Sequence, residues 1–306
     1  MRAFVIPHDG ANIVELAEVP KPQIDDDEVL VRVRAVGVGI HDSYFFPPDV
    51  RYPFPIGIEA AGIVEEIGGR VTGYHPGDRI AYVSSMQPKG GTWAEFVAVS
   101  TDSLIIPIPA GMDFATAAAV PVAGNTVLRA FHALTAVPSG GSLFIAGGSG
   151  ALGTFGIQLA RQRHWRVGAS ASEVNHDYLR SLGAEMVVDY HDPDWTSQVR
   201  DWMPGGVDAA MAVQPGTAAE TARVVKDCGQ LIPISGDSAA TERGVRLETM
   251  PYQVDVSDGT MQLMSDIEAG NVHVEIERVY PFEDALTALA KVQTRRARGK
   301  SVLRIA

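Results

Sequence analysis

The chain has 306 residues, 46% hydrophobic and 20% charged, a packed globular composition longer than the roughly 250–300 residues one core usually serves, so two domains are expected. Lys and Arg number 25 against 37 Asp and Glu, and the net charge of −12 repels phosphate backbones and anionic membranes, which excludes nucleic acid as a ready partner. Cys228 is the single cysteine, so an internal disulfide and every multi-cysteine zinc site are ruled out. The start, MRAFVIPHDG, lacks an apolar signal core, and no apolar run reaches the ~18 residues of a membrane span; a soluble, cytoplasmic protein is expected.

In chain order, short apolar runs at 29–36, 60–67, 79–83, 93–99 and 104–108, separated by Gly, Pro and Asp, predict strands. In the first, Val31, Val33 and Ala35 alternate with Arg32 and Arg34, a period of two that turns one face to a core and the other to water. Close-spaced strands with few helices suggest a compact barrel or sandwich. From 115 to 134 Ala, Leu and Val recur at helical spacing. Beyond it strands at 142–146, 166–170, 186–189, 207–213 and 230–235 alternate with helices at 151–163, 177–182 (closed by Gly183) and 218–228 (closed by Gly229). Such alternation is the α/β pattern of a doubly wound parallel sheet with crossover helices. A strand at 272–279 and a helix with Phe282, Ala285, Leu286 and Leu289 on one stripe close the chain.

Between the strand at 142–146 and the amphipathic helix after it runs Gly147-Gly148-Ser149-Gly150-Ala151-Leu152-Gly153. It reads as G-x-G-x-x-G from Gly148 or as G-x-x-G-x-x-G from Gly147. Glycine permits a tight turn, close backbone approach to a pyrophosphate, and close helix–strand packing, while the helix N-terminus supplies N–H groups and positive dipole. The strand-turn-helix setting is the context that makes the motif a dinucleotide site. The next strand ends Ala169-Ser170-Ala171-Ser172, with no acid before Glu173 to bind a ribose 2′-hydroxyl and repel a 2′-phosphate. NADPH is therefore expected over NADH; the same serines also suit the cap of the following helix.

Seven segments in order together resemble the medium-chain dehydrogenase/reductase superfamily, in its zinc-free quinone oxidoreductase (zeta-crystallin-like) branch. They are Asp27-Glu28-Val29-Leu30-Val31-Arg32-Val33, Gly57-Ile58-Glu59-Ala60-Ala61-Gly62-Ile63-Val64, Pro76-Gly77-Asp78-Arg79-Ile80, Gly91-Thr92-Trp93-Ala94-Glu95-Phe96, the glycine-rich turn, Ser181-Leu182-Gly183-Ala184, and Ala297-Arg298-Gly299-Lys300-Ser301-Val302-Leu303. The resemblance implies a β-rich GroES-like barrel catalytic domain from residues 1–118 and 271–306, and an inserted Rossmann domain at 119–270. It also implies cofactor in the cleft and a homodimer or homotetramer.

Zinc-dependent relatives hold their catalytic metal with Cys, His and Cys; the matching positions here are Gly39, Ile58 and Val122, which offer no side-chain ligand, so no metal is expected. Glu59 follows the lost histidine in a supporting position. The resemblance places Tyr44 against cofactor and substrate, as the candidate proton donor, and Tyr52 in the substrate pocket. To the cofactor contacts read above, Gly147 through Gly153, Ser170 and Ser172, it adds Thr126, Tyr190, Gln214, Ser235 and Gly236. Asn175, or His176 if the alignment slips by one, stands where many relatives carry a Lys for the 2′-phosphate, and Gly39 where many carry Asn. His41 aligns with an apolar position, and Lys300 reads as an exposed lysine.

Without a metal, charge on the product decides the substrate. Hydride addition to a simple ketone leaves an alkoxide whose conjugate acid is about as weak as water, ~15.7. Addition to a quinone leaves a phenolate-like anion near ~10, a difference of about 8 kcal/mol that no metal has to supply. An NADPH-dependent quinone reductase is thus expected. A reductase of activated C=C bonds (enone, enal or enoyl thioester) is the alternative, and a non-catalytic NADPH-binding redox sensor is the reading from another class.

Overall fold

The computed structural model describes residues 1–84 and 87–306, and its contacts divide the chain into two compact units, Met1–Val122 with Ser257–Ala306, and Ala123–Val256. The first unit opens with β1 (Arg2–Ile6), β2 (Glu15–Glu18), β3 (Glu28–Val38), β4 (Phe54–Pro55), β5 (Glu59–Ile67), β6 (Arg79–Val83), β7 (Phe96–Ser100) and β8 (Ile105–Pro107), then α1 (Phe114–Ala118). The predicted alternation holds along β3, where Val31, Val33 and Ala35 are buried while Arg32 is exposed. The helix expected over 115–134 is two, because α2 (Pro121–Ala133) starts at a proline that lacks an N–H and biases the residue before it away from helical backbone.

The second unit holds β9 (Ser142–Ala146), α3 (Ala151–Gln162), β10 (Arg166–Ser170), α4 (His176–Ser181), β11 (Met186–Val188), α5 (Trp195–Trp202), β12 (Val207–Ala212), α6 (Ala218–Val224), β13 (Val225–Pro233) and β14 (Arg246–Leu247). Its six strands are all parallel, in the order β11-β10-β9-β12-β13-β14. The order reverses between β9 and β12, which is where open α/β sheets take ligands. Both faces of β9 are buried, as crossover helices require. The helix expected over 218–228 ends at Val224: Val225 turns to extended backbone and pairs in parallel with Val207, fully buried, so tertiary pairing overrides helical propensity. Cys228 accordingly lies in β13, with φ 59°, and not at a helix end.

The chain returns to the first unit with α7 (Ser257–Glu268), β15 (Ile276–Pro281), α8 (Ala285–Gln293) and β16 (Lys300–Arg304). The expected return at 271 is therefore late. α7 buries only Thr260, Leu263 and Met264, too thin an apolar stripe to announce itself, and Glu268 Oε1 at its end accepts the Gly111 N–H at 2.9 Å. In the seven-stranded sheet β15-β16-β3-β5-β6-β8, β7 bonds the first half of β3 and β16 the second. Register shifts between β3 and β5 bend the ladder as a barrel wall needs. Both chain ends fill this core: Phe4 meets Trp93 and Phe282 edge to face, with ring centroids 6.0 and 5.1 Å apart. Among the described residues no helix is long and apolar enough to cross a membrane.

Candidate functional site

In the second unit β9 ends at Ala146 and the chain turns through Gly147, whose φ of 101° only glycine adopts without strain. A Cβ on Gly148 would stand 2.8 Å from Leu179 Cδ2 and 2.9 Å from Ala169 Cβ, so β10 and α4 close that side. A Cβ on Gly153 would stand 2.3 Å from Gly148 O, which is why α3 can begin so close to the strand it leaves. Both readings of the motif are thus needed, one for backbone and one for space. Gly150 differs: it precedes α3 with ordinary φ −79°, gives it no side-chain cap, and a Cβ there would meet nothing within 4 Å. An uncapped helix N-terminus with open space before it fits a dinucleotide pyrophosphate.

Ser170, expected at the 2′-phosphate, is buried; its Oγ accepts the Gly147 N–H at 3.2 Å and its carbonyl accepts the Gly148 N–H at 2.8 Å, so it ties the turn to β10. Ser172 is more open and accepts from Asn175 Nδ2 at 3.1 Å, and neither Ser172 nor Asn175 caps the helical turn after it. Beyond β11, Tyr190 is 54% exposed and lies on the His191 ring at 4.1 Å. Gln214 and Ser235 follow β12 and β13, and parallel pairing brings them to the same sheet edge as the glycine turn; a Gly147 Cβ would touch Gln214 Cγ at 3.0 Å. Ser235 Oγ is buried without a hydrogen-bond partner, an atom that a ligand would satisfy. Gly236 turns the chain at φ 79°, and Thr126 lies on α2.

In the first unit the loop after β3 is pinned from inside. Asp42 is 1% exposed, and its Oδ2 accepts the Gly39 N–H at 2.9 Å and Trp93 Nε1–H at 3.0 Å. The Tyr44 and Phe45 N–H groups donate to His41 O, which holds Tyr44 58% exposed with the His41 ring edge-on at 5.4 Å. Tyr52 is half-buried against the core. Burial, with Arg295 and Lys300 nearby, lowers the His41 pKa.

Burial pushes the Asp42 carboxyl up to about 7; the Gly39 N–H, Lys300 and Trp93 oppose this, and Glu59 adds to it. Between its ordinary value near 4 and 7 the native chain therefore holds a proton that the unfolded chain has released, so stability falls as pH rises through that window and levels off above it. Asp42→Asn, which keeps an acceptor for both N–H groups, is expected to remove on the order of 2 kcal/mol of this pH dependence, read as the change in urea midpoint between pH 5 and pH 8. Equal slopes in the two proteins would show that Asp42 stays ionised.

The positions that hold zinc in metal-dependent relatives gather here without a ligand. Glu59 Oε2 accepts the Val122 N–H at 2.7 Å, and Glu59 Oε1 pairs with Lys300 Nζ. Lys300 is thus 8% exposed and ion-paired, where its sequence suggested an exposed lysine. Gly39, Ile58 and Val122 carry no side-chain donor atom, and the two nearby carboxylates are engaged, Glu59 by Val122 N–H and Lys300 and Asp42 by Gly39 N–H and Trp93 Nε1–H, so these residues do not fit a catalytic zinc; among the described residues no three His, Cys, Asp or Glu gather as a metal site. The buried pair was missed because Glu59 and Lys300 meet only through tertiary folding. The charge that Lys300 sets at the head of the otherwise uncharged, buried start of β16 is the one signal that could have found it.

A family model described as alcohol dehydrogenase GroES-like domain matches residues 25–110, and one described as zinc-binding dehydrogenase matches residues 182–303. The chain is 29% identical to the chloroplastic NADPH-dependent alkenal/one oxidoreductase of Arabidopsis thaliana over 99% of its own length and 79% of that protein's. It is 26% identical to a quinone oxidoreductase of Pseudomonas aeruginosa, with 96% of each covered. The solved quinone oxidoreductase of Coxiella burnetii has the same fold, with a TM-score of 0.87 at 24% identity over 100% of this chain and 99% of that one.

A GroES-like unit made from both chain ends, and a parallel sheet with a dinucleotide turn inserted between them, define the medium-chain dehydrogenases and reductases. The chain belongs to that superfamily, in its zinc-free, quinone-oxidoreductase-like branch, and is a pyridine-nucleotide-dependent oxidoreductase.

Proposed function

We propose that the protein is an NADPH-dependent reductase of conjugated carbonyl compounds, the enals and enones first and quinones second. The observation that carries this is the absence of any metal donor at Gly39, Ile58 and Val122, with Glu59 engaged by Lys300. A substrate must then spread its own negative charge, as an enolate or a phenolate does and an alkoxide does not. The similarity to an alkenal/one oxidoreductase across nearly the whole chain favours the C=C reading, and the quinone oxidoreductase relative supports the second.

The bound nicotinamide supplies the hydride. The chain's own part begins at α3, whose N-terminus, with Gly147 through Gly153, is assigned the pyrophosphate. Ser172, Asn175 and Tyr190 are assigned the adenosine end and its 2′-phosphate, with Ser170 acting through the turn it holds. Gln214, Ser235, Gly236 and Thr126 are assigned the remainder of the dinucleotide. Tyr44, exposed on its pinned loop, is assigned to the substrate and its proton, and Tyr52 to the pocket wall.

Purified protein with a chelator present is expected to oxidise NADPH with trans-2-hexenal, with kcat/KM at least about tenfold above that for 1,4-benzoquinone and above that with NADH. A tenfold advantage for benzoquinone would put the quinone reading first. Loss of turnover on chelation would overturn the metal-free reading, and an NADH preference would overturn the cofactor assignment.

A further inference from the structure

Across a chain of net charge −12, one concave surface collects arginines. A cavity of about 560 Å³ in the second unit is lined by Arg200, Arg223 and Arg243, with Glu242 at its wall and Ala219 and Ala222 leaving the room. The volume is within the range of small-ligand sites. Ala219, Ala222 and Arg223 fall at i, i+3 and i+4 of α6 and so share one face, with short side chains beside the charged one.

Two of the guanidinium groups are held in place by backbone. Arg200 Nη1 donates to Arg223 O at 2.7 Å and its Nη2 to Gly205 O at 3.3 Å. Arg243 Nη1 donates to Val225 O at 2.9 Å and Asp227 Oδ1 at 3.1 Å, and its Nη2 to Ala222 O and Arg223 O at 3.1 and 3.3 Å. Carbonyl oxygens orient the Arg200 guanidinium without neutralising it, which lowers the ordering cost of binding, whereas Arg243 is paired with Asp227 and serves to fix the wall. Among the described residues neither Arg200 nor Arg223 has an ion pair, and each guanidinium carries five N–H donors, so charge and donors are left for a ligand.

The cavity is separate from the dinucleotide turn. Arg223 precedes β13 and Gly205 precedes β12, so the arginines lie where the parallel strands begin, whereas Gly147 and Gln214 lie where strands end. The length of β12, roughly 20 Å, stands between the two edges.

We propose that this cavity is a second ligand site, for a phosphorylated sugar. The arginines suit the phosphate, for which guanidinium is the matching donor fork. Glu242 disfavours a bare anion but accepts from a sugar hydroxyl, which is why an ester is preferred to free phosphate.

The probe is ribose 5-phosphate, titrated by calorimetry into the full chain saturated with NADP⁺ and followed by hydrogen exchange. A dissociation constant below about 1 mM is expected, with slowed exchange over 219–225 and 240–246. Arg223→Glu is expected to weaken binding at least about tenfold, with NADPH turnover unchanged. Arg223 is exposed, and if the charge reversal unfolds the chain, Arg223→Gln carries the same comparison. Binding unaffected by either variant, exchange slowed only over 147–153, or no binding to about 10 mM overturns the site. Equal affinity for inorganic phosphate overturns the sugar and leaves no case for an ester.

Discussion

Lys300→Met is expected to destabilise the protein by about 3–5 kcal/mol, because it leaves Glu59, 1% exposed, as an uncompensated buried charge. The melting temperature should fall by on the order of 10 °C. The second substitution shows the cause: Glu59→Gln removes the stranded charge yet keeps an oxygen for the Val122 N–H. The double variant Lys300→Met with Glu59→Gln should therefore recover most of the loss, since a buried ion pair replaced by neutral groups is often close to energetically even. Two additive losses in that double-mutant cycle, measured by thermal and urea melts, would show that Lys300 and Glu59 do not depend on each other. Lys300 also helps to hold down the Asp42 pKa, so the single variant should steepen the fall of stability toward neutral pH.

The glycine turn separates folding from binding in one comparison. Gly153→Ala places a Cβ against the backbone O, C and Cα of Gly148, so the turn itself must shift to make room. Overpacking of this kind is expected to cost about 1–3 kcal/mol and to displace the start of α3, lowering dinucleotide affinity about a hundredfold. Gly150→Ala meets no neighbour and asks for no unusual backbone, so it should melt like the unmodified chain, while weakening the cofactor if, as proposed, the phosphates occupy that space. Fluorescence titration with NADPH beside a melting curve reads both quantities. Wild-type affinity in Gly150→Ala would remove the pyrophosphate from this turn, and wild-type stability in Gly153→Ala would show that the turn has slack.

The same contrast explains which parts of the fold were legible. The limits of β9 and β10 are those read from the sequence, because a fully buried parallel strand is a continuous apolar run and glycine or a charged turn bounds it on both sides. Residues 218–228 misled because Ala and Val at helical spacing say nothing of Val207, whose pairing with Val225 ends the helix. Ser170 was legible as a strand end and was expected at the 2′-phosphate; its commitment to the Gly147 N–H was not legible.

By itself, then, the sequence determined a β-rich first part, a doubly wound α/β middle and a glycine-rich turn between strand and helix, since these rest on local periodicity and glycine stereochemistry, while its resemblance to the medium-chain family supplied the barrel and the positions where metal donors are wanting. Only the tertiary structure decided that Lys300 pairs with Glu59, that Asp42 is buried with a raised pKa, and that three arginines line one cavity. Each joins residues far apart in the chain, and burial and Coulomb interaction act through space, where sequence spacing carries no information.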